Sequence, residues 1–187
     1  MKILKWFTIF IGSLFVLIMI GQFILPTTYR VERRIEVNAP VDSVFKAVAN
    51  LHEFLKWNPW SAREPQAKNT ITGSGDEVGS AWEWQGTKIG KGSQTISEII
   101  PNRIVRSHLR FTEEGRTIES ELEWRFIPQG ESTKVIWANY GNLDIFLGAY
   151  YGLFLDSMLG PDLEEGLSNL KRYVEKGILP QPASPTN

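Results

Sequence analysis

The sequence predicts an α+β domain in which a curved antiparallel sheet wraps around a long C-terminal helix, preceded by one transmembrane helix. Three observations predict it. Residues 6–25 contain no charged side chain. Between residues 68 and 140, short period-2 segments follow one another through turns with no helical pattern between them, which implies an antiparallel sheet. From Gly160 onward a stripe of leucines at helical spacing runs nearly to the end of the chain.

The N-terminal run is long enough to matter. About 20 residues at about 1.5 Å each match the roughly 30 Å hydrocarbon core of a bilayer. A cleaved signal peptide has a shorter apolar core, about 7–15 residues, followed by a small-x-small site. Here the run leaves through Gln22, Phe23, Ile24, Leu25 and Pro26 without such a site. Residues 1–25 are therefore expected to be an uncleaved anchor. Lys2 and Lys5 precede the span, while Arg30, Arg33 and Arg34 follow it, so positive-inside counting is nearly balanced. The short N-terminal tail makes N-inside the simpler insertion. That places the protein at the cell membrane as a single-pass chain, with its domain on the non-cytoplasmic side.

Residues 26–178 suffice for one domain with a sizeable core. Residues 179–187 form a Pro/Ser-rich end of disordered composition. With Lys2 and Lys5 set aside, the chain carries 18 basic and 21 acidic side chains, a net of −3. Nucleic acid is not an expected partner on that balance, because it demands a basic face. The absence of cysteine excludes disulfides, thiol nucleophiles and thiolate metal sites, and two histidines exclude a His-rich metal site. No cofactor or metal is implied, and the oligomeric state is left open.

The elements follow in order. Val31, Ile35 and Val37 alternate with Arg and Glu as a half-buried strand. Pro40 is expected at the first helical position of the next element, where Val41, Val44, Phe45 and Val48 make one apolar stripe. Asn50 and Glu53 resemble a capping box for a short helix over residues 51–57, which Pro59 should end. Gly73-Ser74-Gly75-Asp76 is turn chemistry. Trp82-Glu83-Trp84 alternates, and residues 90–100 and 103–111 are joined at Pro101-Asn102. Ile118, Leu122, Trp124 and Phe126 alternate with charged residues as the clearest strand, and residues 133–140 supply the last. Gly160-Pro161-Asp162 is expected to begin the closing helix. Acidic residues lie in its first turn, Lys171, Arg172 and Lys176 lie late, and Gly177 ends it. Strand, two short helices, antiparallel strands and a long closing helix is the helix-grip order, which leaves a cavity between sheet and helix.

These stretches resemble a known family. YRVERRIEVNAP (Tyr29 to Pro40), then Val44-Phe45, then Trp57-Asn58-Pro59-Trp60-Ser61 are similar to the START-like (SRPBCC) superfamily, in its polyketide cyclase/dehydrase and lipid-transport branch. Gly90-Lys91-Gly92-Ser93, Thr133-Lys134-Val135-Ile136-Trp137 and the segment from Gly160 to Lys171 fit the same branch. The chain also resembles members with a short anchor ending in a Leu-Pro pair, here Leu25-Pro26. The resemblance covers about residues 26–176 and implies the fold. It leaves function open, because that superfamily holds lipid carriers, hormone binders and cyclases, and a fold does not assign chemistry.

Six tryptophans follow Trp6: Trp57, Trp60, Trp82, Trp84, Trp124 and Trp137. Small-molecule pockets are mostly apolar and aromatic with a few orienting polar groups. Trp57, Trp60, Trp82, Trp84, Trp124, Tyr140, Phe154 and Met158 are therefore the candidate ligand-binding residues, for a lipid-like or aromatic molecule. The competing expectation for each tryptophan is core filling. No catalytic constellation is found, and enzyme activity stays uncertain. Glu83 falls on the strand face opposite its flanking tryptophans. Asp156 is the one charge in a long apolar stretch, either a buried acid or a surface residue, and His52 and His108 have surface settings. Three readings result: a membrane-anchored binding or carrier domain, an interaction module with a filled pocket, and a cyclase/dehydrase-like enzyme. Residues 144–159 are apolar all round, which suits either burial or a lid facing the membrane, with Gly148 and Gly152 allowing it to move.

Overall fold

Seven strands, each antiparallel to its neighbours, form one sheet in the order β1-β7-β6-β5-β4-β3-β2. The computed structural model describes residues 2–113, 115–143 and 148–181. After α1 (Lys2–Ile24), β1 (Thr28–Val37) forms one edge of the sheet. The chain then crosses to the other edge through α2 (Val41–Ala49), α3 (Leu51–Trp57) and α4 (Pro59–Arg63). It returns strand by strand through β2 (Lys68–Thr72), β3 (Ala81–Gln85), β4 (Lys91–Ile100), β5 (Ile104–Glu113), β6 (Arg116–Gln129) and β7 (Ser132–Asn142). β7 pairs with β1, Ile35 against Val135, and α5 (Gly148–Lys176) packs over the β1 side.

Local chemistry sets the element ends, with three departures from expectation. Pro40 is the N-cap of α2 rather than its first helical residue, because its ψ of 146° is extended. Asn50 caps α3 as expected, accepting from the N–H groups of His52 and Glu53 at 2.9 and 3.2 Å. The return half of the box is missing, because the Glu53 carboxylate binds Lys56 and Tyr173 instead. α3 ends at Trp57, just before Pro59, as expected, and a further short helix follows. Asn58 turns the chain out and caps α4, with Pro59 as its first residue, where a proline has no N–H to lose.

The third departure is in the closing helix. Gly160-Pro161 lies inside α5 instead of starting it. Proline removes one helical hydrogen bond, yet contacts on both sides hold the axis together: Leu155 before it and Leu163, Leu167 and Leu170 after it are buried. Gly148 and Gly152 make room for Leu143, since a Cβ at Gly152 would meet Leu143 Cδ1 at 2.5 Å. Residues 144–147 of the expected apolar segment, and 182–187 of the tail, lie outside the described residues. Gly177, at φ 65°, ends α5 as expected, its N–H bonding the Tyr173 carbonyl at 2.9 Å.

The two sheet faces differ in kind. Toward the helices project Val31, Ile35, Trp82, Trp84, Ile96, Val105, Leu122, Trp124, Phe126, Val135 and Trp137, most of them buried. Their rings pack in sequence. Trp82 lies 4.6 Å from Trp84 and 5.7 Å from Phe54, Phe54 lies 4.9 Å from Trp57, and Trp57 meets Trp124 edge-on at 5.9 Å. Trp124 then stacks on Trp137 at 4.2 Å and 16°. Such pairs add about 0.5–1.5 kcal/mol each beyond area burial. The outer face carries an ion lattice instead, in which buried Glu123 accepts from Arg30 at 2.8 Å and from Arg106 at 2.9 Å. Burial pushes the Glu123 carboxyl up, and the two guanidinium groups outweigh it, leaving the group below the ordinary glutamate range.

Two close approaches seat α5. A Cβ on Gly166 would meet the Trp137 ring at 2.5 Å, so glycine lets the helix rest on the stacked pair. A Cβ on Gly160 would meet the Arg33 guanidinium at 2.1 Å. Arg33 uses that gap to grip α5, with Nη1 and Nη2 on Asp156 at 2.8 and 3.0 Å and Nε on Glu164 at 2.6 Å. At the far side, buried Glu64 holds the β3–β4 turn. Its carboxylate accepts the N–H groups of Thr87, Lys88 and Ile89 and the Thr87 hydroxyl, at 2.7 to 3.1 Å. The Thr87 bonds lead in pulling its pKa from 4.5 down to about 2.

The N-terminal helix leans on the domain. The Tyr150 hydroxyl donates to the Ile18 carbonyl at 2.8 Å, and a Cβ on Gly21 would strike that hydroxyl. Among the described residues, no helix is long and apolar enough to cross a membrane.

Gly166→Leu should lower unfolding stability by about 1–3 kcal/mol by wedging α5 off Trp137, whereas a change at exposed Ser168 should stay within about 0.5 kcal/mol; urea melts of both variants check this. Glu64 stabilises the fold fully above pH 4.5, and its contribution fades as pH falls toward 2, because its pKa is lower folded than unfolded. Glu64→Gln should be less stable at neutral pH and should lose that part of the acid dependence, which stability measured from pH 6 to 2 would reveal.

Candidate functional site

The eight residues singled out from the sequence do not form one pocket. Trp57, Trp82, Trp84 and Trp124 lie in the ring-to-ring core, the first and last 0–1% exposed. Trp57 donates its indole N–H to the Ala47 carbonyl at 2.8 Å, and Trp82 donates to Asn69 Oδ1 at 2.8 Å. Trp60 is partly buried and packs edge-on against Trp137 at 6.0 Å. Tyr140 is on the outer face, paired with Arg30 and Glu121, with the Arg30 guanidinium 5.1 Å above its ring. Phe154 and Met158 are exposed on α5.

What the helix-facing side does bring together is a polar set within an apolar face. Asn139 Nδ2 donates to the Ser120 hydroxyl at 3.1 Å, and the Tyr29 hydroxyl donates to Asn139 Oδ1 at 2.7 Å. Two strands over, Gln94 Nε2 donates to the Ser107 hydroxyl at 3.4 Å. Leu122 lies between these groups, directly across from Ser107 on one side and Asn139 on the other. Burial raises the Tyr29 hydroxyl above the ordinary tyrosine value, so it stays protonated and a donor. Beyond this belt the face continues as Leu109, Phe111 and Ile118. It becomes open there, with Leu109 and Phe111 partly buried and Ile118 59% exposed.

Sequence reasoning passed over Tyr29, Gln94, Ser107, Ser120 and Asn139. The signal was present at Ser120, which interrupts the inward phase of Ile118, Leu122 and Trp124. It was present again at Ser107, between Val105 and Leu109. A polar residue at an apolar phase is the pattern to look for.

Titratable groups lie elsewhere. Asp156 is an exposed surface residue whose bond from Arg33 holds it below the ordinary aspartate range, the wrong direction for donating a proton near neutral pH. Glu83 is on the outer face, opposite its neighbouring tryptophans as expected. His108 Nδ1 lies 2.9 Å from the Glu121 carboxylate on the same outer face. Among the described residues, no group of three or more His, Asp or Glu is placed to hold a metal ion. Two open grooves lie outside the helix-facing side. One, of about 640 Å³, runs over Lys68, Glu83, Lys91 and Arg110; the other, of about 710 Å³, runs over Phe45, Glu53 and Tyr173.

Solved structures share this architecture at low identity. The Aha1 dimer protein from Colwellia psychrerythraea is 20% identical, with a TM-score of 0.54 over 79% of this chain and 97% of its own. Protein CV1439 from Chromobacterium violaceum is 19% identical, with a TM-score of 0.57 over 81% and 99%. Truncated norcoclaurine synthase from Thalictrum flavum is 13% identical, with a TM-score of 0.60 over 80% and 94%. These likenesses concern the fold. No curated protein sequence matches the chain. Residues 28–175, from the first residue of β1 to the end of α5, match the family described as polyketide cyclase/dehydrase and lipid transport. The chain belongs to that family, within the START-like (SRPBCC) fold, whose members usually bind hydrophobic ligands.

Proposed function

We propose that this protein is a membrane-anchored binding or carrier domain for a hydrophobic small molecule, lipid-like or aromatic. The ligand lies on the helix-facing side of the sheet, at its open end rather than among the tryptophans. The observation that carries this reading is the buried polar belt of Tyr29, Ser120, Asn139, Gln94 and Ser107, next to the open apolar stretch of Leu109, Phe111 and Ile118. An apolar wall with a few fixed polar groups is how proteins orient small hydrophobic molecules. Of the ligand residues inferred from sequence, Trp84 borders this region and the buried rings support it from behind.

The anchor is α1. Its backbone is helical over Lys2–Ile24, about 34 Å at about 1.5 Å per residue. Trp6, Phe7, Phe10, Leu14, Phe15 and Leu17 are all exposed on it, which suits a lipid surrounding. The domain is placed on the non-cytoplasmic side of the cell membrane.

A second reading has its own support. The continuous packing from Trp84 to Trp137 resembles a pocket filled by the protein itself, which suits an interaction module without catalysis. A cyclase/dehydrase-like enzyme has less support, because Asp156 is committed to Arg33.

Native mass spectrometry of the full chain released from a bilayer should show a bound small hydrophobic molecule, and Leu109→Trp with Ser120→Leu should abolish it while the protein stays folded. A ligand-free protein of unchanged stability would favour the interaction module. The anchor has a separate test, since the chain has no cysteine: a cysteine at Ser74 in intact cells should react with an impermeant maleimide from outside. Labelling only after the membrane is breached would reverse the orientation, and a mature N-terminus near Thr27 would remove the anchor.

A further inference from the structure

The start of α5 and the open end of the sheet lie at the same end of the domain as α1. α5 runs in the same direction as β1. Tyr150 touches Ile18 of α1, Asp156 and Glu164 meet Arg33, Lys171 Nζ reaches the Glu36 carbonyl, and Glu175 accepts from the Asn38 N–H. The helix therefore begins beside α1 and runs away from it. Ile18 precedes the last residue of α1 by six positions, so Tyr150 reaches about 9 Å back along that helix.

The apolar row of the sheet points to the same place. Trp84, Gly92, Phe111 and Ile118 are successive register partners from β3 to β6. The β6–β7 register, Glu121 against Tyr140, continued by three residues leads from Ile118 to Leu143. The Leu143 N–H bonds the carbonyl of Thr27, three residues past the end of α1. Around this end, Ile118, Tyr151, Leu153 and Phe154 are all at least half exposed, Phe154 at 61%. No charged side chain lies among the described residues of α5 before Asp156. A patch of large apolar groups continuous with a membrane helix has the lipid itself as its fitting cover.

We infer that the bilayer is the partner of this surface: the first turns of α5, with Ile118 and Leu143, sit in the leaflet, and the site opens into lipid. The inference rests on the anchored-carrier reading and deepens it. The ligand is then a membrane-dissolved amphiphile that enters sideways from the leaflet, apolar part first along Ile118 and Phe111, without crossing water. Tyr150, bonded to the Ile18 carbonyl, fixes how far the start of α5 reaches along α1.

The test uses the full chain in phosphatidylcholine vesicles, with single cysteines at Leu153, Phe154, Ile118, Leu14 and Lys134, each carrying a fluorescent label. Doxyl-labelled phosphatidylcholine should quench the labels at 153, 154 and 118 severalfold more than the label at 134, and comparably to the label at 14. Quenching at 14 with none at 153, 154 and 118 would overturn the inference and leave the anchor standing. Absence of quenching at 14 as well would sink the anchor and the inference together. In a second arm, Leu153→Asp should slow uptake of a fluorescent fatty acid from vesicles severalfold, while the amount bound at equilibrium stays unchanged. Equal uptake rates would overturn lateral entry, and no fatty-acid binding by either protein would count against the carrier reading itself.

Discussion

The long helix can lie against the sheet only because Gly166 presents no side chain to Trp137. That single close approach lets α5 settle on the stacked Trp124–Trp137 pair, and much of the remaining geometry follows from it. With α5 seated, Leu163, Leu167 and Leu170 become buried, and Trp60 of α4 closes on the edge of Trp137. The Arg33 fork across Gly160 adds direction to this contact, because a planar guanidinium shared by Asp156 and Glu164 fixes both the height and the rotation of the helix. Exposed ion pairs contribute little energy by themselves, so the apolar seat supplies the stability and Arg33 the register.

The two sheet faces divide their labour. The outer face spends its side chains on a lattice of Arg and Glu, with Glu123 fully engaged. The inner face near the C-terminal half of α5 is filled by tryptophans. Among the described residues, the stretch beside the start of α5 sets open apolar surface next to fixed polar groups. The buried belt from Tyr29 to Asn139 and Ser120 marks the border between these regions. Buried polar groups are costly unless bonded, and here each bonds within the belt, which rigidifies that border and presents defined polar atoms beside an apolar wall.

Much of the architecture was legible in the chain. Period-2 alternation located β1 and β6 because one face of each is largely apolar and buried and the other is charged. The N-cap Asn50 and the terminal Gly177 marked helix ends through local backbone needs that no distant contact alters. Proline misled at Pro161, whose penalty inside a helix is overcome because buried contacts lie on both sides of it. The return bond of Glu53 was misread because Tyr173, 120 residues away, competes for that carboxylate.

The site was less legible than the fold, and the tryptophans show why. Composition signalled an aromatic interior, and alternation placed Trp82, Trp84 and Trp124 on the correct face. Whether a ring lines a cavity or fills it depends on what stands opposite: Phe54, Trp57 and Trp137 come from other elements. The sequence by itself determined the strands and most of the caps, because those follow from short-range periodicity and backbone chemistry, and the family was legible as a resemblance carried by motifs such as Tyr29 to Pro40 and Trp57 to Ser61. Tertiary structure alone decided that Tyr140 faces outward, that Asp156 serves Arg33, and that the polar belt gathers beside α1. Each of these is a meeting of residues that lie far apart along the chain, and their distances were set only when α5 came to rest on the sheet.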